Sequence, residues 1–361
     1  VTYSTVYNLQ MDIYQPTGDV YPARPLIILA HGGSFIGGTR TSDVTVDSLC
    51  ARFARRGYVT ASIDYRLSTL ANMVSSDTTL PIDEVAKAMS DGKAAIRYFV
   101  MDAVTTNTYK IDTNNIFIGG NSAGAVLYMH VGYINDSTEC SPSILAAMAT
   151  NGGFDGNSGN AGYSTKSKAV INLAGALNSP SFIGGWDKPS VNFQGSADNV
   201  VPYDCGHPLS GLCLVNLCGL GVLEPVYTAQ GVYHMSKVFT GQGHVPWDAD
   251  AAMFKTVDSL TTIFLYNLVC TNVASVNDIN TNTDVSIYPN PASDLVNISC
   301  GQAIKSISVY DGTGRTVIHK NDLDKESCEL NTSKLPKGIY FIKVSFTNEN
   351  NSPIVKRVVV E

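Results

Sequence analysis

One stretch of the chain restricts its fold more than any other. An apolar run at residues 116–118 ends in Gly-Gly-Asn-Ser-Ala-Gly, and a helical pattern follows. This pattern predicts a strand, a sharp turn and a helix. The turn has the spacing G-x-S-x-G at Gly120, Ser122 and Gly124, which holds the serine hydroxyl clear of the sheet in front of a helix N-terminus. With 31 glycines in the chain the motif alone is weak, so its surroundings must decide.

Composition narrows the class of protein. A length of 361 residues suggests one large domain or two unequal ones. Hydrophobic residues make up 44% and charged residues 15%, which favours a substantial core over disorder. The net charge of −7 argues against a nucleic-acid partner, since such proteins usually present a basic face. No apolar run reaches the roughly 20 residues that cross a bilayer, so we expect no transmembrane segment.

The termini and cysteines indicate export. The chain begins at Val1 and shows no leader pattern, so we expect a mature protein whose secretion signal has been removed. Eight cysteines, with no C-x-x-C pair and no zinc-finger spacing, favour disulfides over a metal site, with free core thiols as the alternative. Cys205, Cys213 and Cys218 cannot all pair with one another, so one of them is expected to pair with Cys50, Cys140 or Cys270.

Buried strands alternate with amphipathic helices over the first three quarters of the chain. Strands are expected at 9–14, 25–30, 58–64, 116–118, 169–173, 189–194 and 233–239, and helices at 43–57, 81–101 and 248–268. Such alternation predicts an α/β fold with a mostly parallel central sheet and helices on both faces. Residues 111–115 are expected to form a turn before the central strand.

The pattern changes near residue 273. We expect residues 1–272 to form the catalytic domain and the Asn/Thr-rich segment 273–284 to be a linker. From 285 to 361 only short alternating runs occur, divided by turns, which predicts a small all-β immunoglobulin-like sandwich.

A serine hydroxyl becomes a nucleophile only beside a base that a third group orients. In a sheet of this kind the order along the chain is serine, acid, histidine. Asp198 follows one predicted strand and His244 follows the next, so both are assigned to the triad with Ser122. Asp204 is the alternative acid. The N–H of Ala123 and a glycine-rich loop after an early strand are expected to bind the oxyanion.

Further residues near these positions are predicted to contact substrate. They are His31, Phe35, Asn121 and Trp247. The cysteine-containing insertion at 205–223 carries several Leu and Val residues. It is expected either to line an acyl or aromatic pocket or to be a stapled surface loop.

Several motifs together resemble the carboxylesterase and hormone-sensitive-lipase branch of the α/β-hydrolases. They are residues 31–35, 64–67, 91–98, 111–112 and 120–124, and the resemblance extends from about 9 to 268. It implies ester hydrolysis through an acyl-enzyme, without a metal or cofactor. The second and third glycines of the family's H-G-G-G loop map onto Gly33 and Ser34, which are therefore expected oxyanion donors. Ser34 departs from the family pattern but retains its backbone N–H.

The C-terminal part resembles the sorting domain of the Bacteroidetes type IX secretion system. The motifs are Tyr-Pro-Asn-Pro at 288–291, residues 309–315, and Lys-Gly-Ile-Tyr within 337–344. The resemblance implies export across the outer membrane by that machinery, followed by release or surface attachment. A carbohydrate- or polymer-binding sandwich is the alternative. Cys300 and Cys328 are the only cysteines of this part, and we predict that they pair.

The sequence therefore predicts a secreted serine carboxylesterase acting on a small or polymeric ester. Three alternatives remain open. The first is an esterase directed at a polyester, a feruloyl ester or an acetylated glycan. The second is a serine peptidase of the same fold, and the third is a non-catalytic binding protein.

Overall fold

The computed structural model describes residues 1–18, 20–270, 285–311, 315–348 and 353–360. It divides into two units, Val1–Val269 and Cys270–Glu361, which are taken separately below. The predicted linker at 273–284 lies outside the described residues, and the domain boundaries stay predictions. No helix within the described ranges is long and apolar enough to cross a bilayer.

An eight-stranded sheet forms the centre of the first unit. Its strands lie in the order β1-β2-β4-β3-β5-β6-β7-β10, where the short β8 and β9 form a separate ribbon. The strands are β1 (Thr2–Ser4), β2 (Leu9–Tyr14), β3 (Arg24–Ala30), β4 (Val59–Ile63), β5 (Ile111–Asn121), β6 (Ala169–Leu173), β7 (Ser190–Gly195), β8 (Cys205–Gly206), β9 (Leu217–Cys218) and β10 (His234–Phe239). The pairs from β4 to β10 are parallel, and β1 and β2 add an antiparallel edge, so the predicted mostly parallel sheet is confirmed.

Helices cover both faces of this sheet. They are α1 (Val44–Ala54), α2 (Leu70–Met73), α3 (Thr79–Val104), α4 (Ala123–Tyr133), α5 (Pro142–Thr150), α6 (Leu220–Ala229) and α7 (Ala251–Cys270). The apolar stripes of α1 and α7 pack on one face with Phe117 and Phe193. Helices α3 to α6 pack on the other face around Ile118 and Leu127. The chain thus buries the sheet on both sides, as its unbroken apolar strands require.

One local prediction was wrong, and helix α6 was missed. Residues 111–115 belong to β5 and do not form a separate turn. The pairing of β5 with β3 shifts between Arg24 and Leu26, so the polar residues are accommodated as an irregularity within the strand. Helix α6 was not predicted; it contains Pro225, which the sequence signals treat as a helix breaker.

The second unit is an antiparallel sheet of five strands. They are β11 (Val285–Tyr288), β12 (Leu295–Tyr310), β13 (Thr316–Asn331), β14 (Gly338–Phe346) and β15 (Ile354–Val360). Strand β12 pairs with β11 through its first half and with β14 through its second half. Its register shifts between Ser299 and Ile304, which separates the two runs predicted at 295–298 and 304–310. The all-β prediction is confirmed, and the topology is consistent with a sandwich.

The predicted disulfide between Cys300 and Cys328 is absent, since both are free thiols. The register of β12 and β13 explains why. Cys328 lies opposite Ile298, so Cys300 is only its diagonal neighbour, at about 7–8 Å. A disulfide needs its Cα atoms closer than about 7 Å.

A disulfide does form between Cys205 and Cys218, which lie directly opposite each other on β8 and β9. Cys213 is a buried free thiol, so the prediction that one of these three cysteines pairs elsewhere was wrong.

Candidate active site

Ser122 occupies the junction between β5 and α4 with a positive φ of 52° and a ψ of −115°. Such a φ is strained for a residue with a side chain and is held here by its surroundings. The Ser122 N–H donates to Leu173 O at the end of β6, at 2.8 Å. A Cβ atom on Gly120 or Gly124 would lie 2.5 or 2.1 Å from the carbonyl oxygen of Ala30. The predicted glycines are therefore required because β3 passes directly against the turn.

His244 lies on the loop after β10 and contacts both of its predicted partners. Its Nε2 atom is 2.7 Å from Ser122 Oγ, and its Nδ1 atom is 2.7 Å from Asp198 Oδ2. The histidine loop packs closely on the end of β7, because a Cβ on Gly195 would lie 2.1 Å from Gly243 O. This approach brings the acid loop and the histidine loop together.

Asp198 is held by backbone donors as well as by the histidine. Its Oδ1 atom accepts the N–H groups of Val200 and Val201, at 2.9 and 3.0 Å, and its side chain is buried. The alternative acid, Asp204, is exposed, whereas Asp198 lies beside His244.

The glycine-rich loop after β3 also lies against the serine. Gly33, Ser34 and Phe35 all have positive φ, at 115°, 56° and 62°. A Cβ on Gly32 would lie 3.4 Å from Ser122 Cβ, so the loop backbone approaches the serine closely. Within the described residues, the backbone N–H groups of Gly33, Ser34 and Ala123 have no protein acceptor. Unpaired N–H groups of this kind are what an oxyanion requires.

Comparisons with known proteins indicate what the two parts of the chain are similar to. Residues 11–179 match the BD-FAE family model, and residues 286–361 match the model described as "Secretion system C-terminal sorting domain". Probable carboxylesterase 3 of Arabidopsis thaliana is 25% identical over 251 residues, which are 67% of this chain and 73% of that protein.

Solved structures of esterase 2 from Thermogutta terrifontis share the fold. The native form has a TM-score of 0.55 at 20% identity and covers 74% of this chain and 91% of its own. The form phosphorylated by paraoxon has a TM-score of 0.55 at 21% identity, with 74% and 93% covered.

The first unit has the α/β-hydrolase fold and is called the esterase domain below, and the match to a secretion sorting domain follows it along the chain. The chain is thus a carboxylester hydrolase that carries the sorting signal for type IX export in Bacteroidetes.

Asp43 is a residue of the esterase domain that sequence reasoning missed. Its Oδ2 atom accepts the Gly32 N–H at 2.9 Å and the Asn121 side-chain amide at 3.1 Å. Its Oδ1 atom caps α1 by accepting the Val46 N–H at 3.1 Å. One carboxylate therefore ties the glycine loop, the serine strand and a helix together. The only sequence signal was that of a helix N-cap.

Only one of the four predicted substrate contacts lines the pocket of the esterase domain, and this is Phe35. Trp247 is buried and donates from Nε1 to Asn121 Oδ1 at 3.3 Å, on the face of the sheet that α1 and α7 cover. His31 is buried and stacks on Tyr65 at 4.4 Å, while the Tyr65 hydroxyl donates to His31 O. His31, Asn121 and Trp247 therefore support the site from behind.

The pocket opens at Ser122 and encloses about 850 Å³ together with its open mouth. Its walls come from α3, α4, α5 and the segment 208–217. The insertion therefore lines the pocket, as one of the two expectations had it, through Leu209, Val215 and Leu217. Leu212 and Leu214 point to solvent instead.

Burial changes the acid–base properties of two groups in this wall. It lowers the pKa of His130, although a hydrogen bond to Val126 O opposes the change. It raises the pKa of the Cys213 thiol. A neutral His130 and a protonated Cys213 keep the pocket wall uncharged.

Proposed function

We propose that the esterase cleaves carboxylic esters through an acyl-enzyme on Ser122, with His244 as general base and Asp198 as the group that orients it. The observation that carries this proposal is the unbroken hydrogen-bonded chain Asp198–His244–Ser122, with both contacts at 2.7 Å. The Asp198 carboxylate fixes the imidazole so that Nε2 faces the serine oxygen.

In the first half of the reaction Ser122 Oγ attacks the ester carbonyl, and His244 Nε2 takes the serine proton. The negative charge on the carbonyl oxygen is bound by the N–H groups of Gly33, Ser34 and Ala123. Each such donor contributes about 10²–10³-fold to the rate in comparable sites. His244 then gives its proton to the leaving alcohol, and the acyl group remains on Ser122.

In the second half a water molecule takes the place of the alcohol. His244 removes a proton from the water, which attacks the acyl carbonyl, and the same donors bind the second oxyanion. Collapse of this intermediate returns the proton to Ser122 and releases the carboxylic acid. The apolar pocket beside Ser122 is the part of the site that fits the acyl group.

An ester panel tests the proposal. Wild type, Ser122→Ala and the control Ser181→Ala, which removes an exposed hydroxyl outside the triad, are assayed with acetyl, butyryl, octanoyl and feruloyl esters and with an aminoacyl amide. We expect Ser122→Ala to lower kcat by about 10⁴-fold or more, and Ser181→Ala to behave as wild type. Ester hydrolysis that persists in Ser122→Ala would contradict the proposal, and so would a preference for the amide.

A further inference from the structure

The segment between Cys205 and Cys218, here called the stapled loop, is fastened to the interior of the esterase domain. Its disulfide closes the loop at its base. Leu177 and Cys218 exchange backbone hydrogen bonds of 3.1 and 2.8 Å, and the Asn178 side chain donates to Asn216 O at 2.8 Å. The Asn178 N–H in turn donates to Nε2 of His130, at 3.1 Å. The stapled loop is thereby fixed to α4, the helix that follows Ser122.

The wall that the stapled loop completes is apolar. No Lys, Arg, Asp or Glu residue lines the pocket in the part of the chain that the structure describes. His130 offers no free ring nitrogen, because Nδ1 lies 2.8 Å from Val126 O and Nε2 accepts from Asn178. An acyl group with a charge or a phenolic hydroxyl would lose its water here and gain little in return.

The pocket is long enough for more than an acetyl group. Lining residues on α3 extend from Pro81 to Met89, about 12 Å along the helix at 1.5 Å per residue. Ile144 and Met148 on α5 and Cys213 and Val215 on the stapled loop form other parts of the wall. Each methylene group buried in such a pocket is worth about a fourfold gain in binding.

We propose that the stapled loop is the acyl-selectivity element of this esterase. It selects unsubstituted aliphatic acyl groups of medium length over acetyl groups and over hydroxylated aromatic acyl groups. This inference rests on the proposed function, since the acyl group must be attached to Ser122 to reach the pocket.

Neighbouring residues of the stapled loop supply a matched pair of variants. Cys213 lines the pocket and is 2% exposed, whereas Leu212 is 63% exposed. Cys213→Trp fills the pocket, and Leu212→Trp adds the same ring to the outer surface. Both variants, wild type and Ser122→Ala are assayed with p-nitrophenyl acetate, butyrate and octanoate and with a feruloyl ester.

In wild type we expect kcat/KM to be at least tenfold higher for octanoate than for acetate, and lowest for the feruloyl ester. Cys213→Trp should lower the octanoate-to-acetate ratio about tenfold or more, and Leu212→Trp should leave that ratio unchanged. A wild-type profile that is flat or highest for the acetyl or feruloyl ester would overturn the inference, as would equal effects of the two Trp variants.

A second measurement needs no variant of the loop. Alkylboronic acids, which form a tetrahedral adduct with an active-site serine, should inhibit wild type more strongly as the alkyl chain lengthens from methyl to octyl. An inhibition constant independent of chain length would overturn the inference even if Cys213→Trp fails to fold. Hydrolysis that survives in Ser122→Ala would instead show that the proposed function is at fault.

Discussion

At the scale of single residues, Asp43 shows how one side chain can organise a site that it does not touch. Its carboxylate holds the Gly32 N–H and the Asn121 amide, while Gly32 packs against Ser122. Loss of these bonds would free the loop that carries the Gly33 and Ser34 donors. Binding of the oxyanion would then weaken, while binding of the ground-state ester would change little.

We therefore expect Asp43→Ala to lower kcat about 10–100-fold with little change in KM, because the displaced donors act mainly in the transition state. Steady-state kinetics with a soluble ester, alongside a thermal melt, makes the measurement. Asp43→Asn retains one acceptor oxygen, so its kcat should fall less than that of Asp43→Ala. An Asp43→Ala enzyme that is folded and has wild-type kcat would show that the carboxylate only caps α1.

The predicted residues differ in how well their roles could be read from sequence. Ser122, Asp198 and His244 each follow a strand of the parallel part of the sheet, and parallel strands bring the loops at their carboxyl ends to one edge. Asn121 was predicted to contact substrate, but its side chain bonds Asp43 and Trp247 and does not line the pocket. Successive residues of a strand point to opposite faces, so its side chain turns away from the pocket. Nothing in the local sequence distinguishes Asp43 from an ordinary helix cap.

At the scale of elements, the contact between α4 and the chain before the stapled loop depends on a neutral histidine. Nε2 of His130 accepts the Asn178 N–H, and an imidazolium has no lone pair there for this bond. Burial lowers the pKa of His130, so the unfolded chain binds this proton more readily than the folded chain. The contribution of neutral His130 to the stability of the fold is therefore complete above the pKa of histidine in the unfolded chain, about 6.5. This contribution is lost as the pH falls through the lower pKa of His130 in the folded chain.

We expect the free energy of unfolding to fall between about pH 7.5 and about pH 5, and to fall less steeply in His130→Gln than in wild type. Urea titrations at a series of pH values provide the measurement. His207→Gln, at an exposed histidine, is the control and should retain the wild-type slope. Burial also lowers the pKa of His31, so the unfolding free energy of His130→Gln should still depend somewhat on pH. Identical slopes in wild type and His130→Gln would contradict this assignment.

The elements themselves were predictable where burial is uniform. Continuous apolar runs gave the strands on either side of the serine, because a strand covered on both faces has no polar side. Helix α6 was hidden by its internal proline. The disulfide pattern was hidden because it depends on register, which places Cys205 opposite Cys218 but leaves Cys300 diagonal to Cys328. The register between strands that are distant in sequence cannot be predicted from the local spacing of residues.

At the scale of the whole molecule, the catalytic residues and the sorting signal lie in different parts of the chain. Ser122, Asp198, His244 and the residues that line the pocket all lie within the unit Val1–Val269. The sorting-domain match begins at residue 286. Nothing in the proposed mechanism draws on the second part.

We therefore expect a chain ending at residue 270 to hydrolyse a soluble ester with kcat/KM within about twofold of the full chain, a difference below 0.5 kcal/mol. In a Bacteroidetes host with type IX secretion, the shortened chain should remain inside the cell while the full chain is exported. Activity measurements on the purified chains test the expectation about hydrolysis, and fractionation of the culture tests the expectation about export. Export of the shortened chain would contradict the role given to the sorting domain.

The most direct test of the central claim is to identify the nucleophilic residue with a reagent that modifies it covalently. Paraoxon transfers a phosphoryl group to the nucleophile of a serine esterase, and peptide mapping by mass spectrometry locates the adduct. We predict one adduct per chain, on Ser122, formed in step with the loss of ester hydrolysis. It should be absent from Ser122→Ala and form much more slowly in His244→Ala, which has no base to take the serine proton. An adduct on any other residue, or full ester hydrolysis by the Ser122-modified enzyme, would contradict the account.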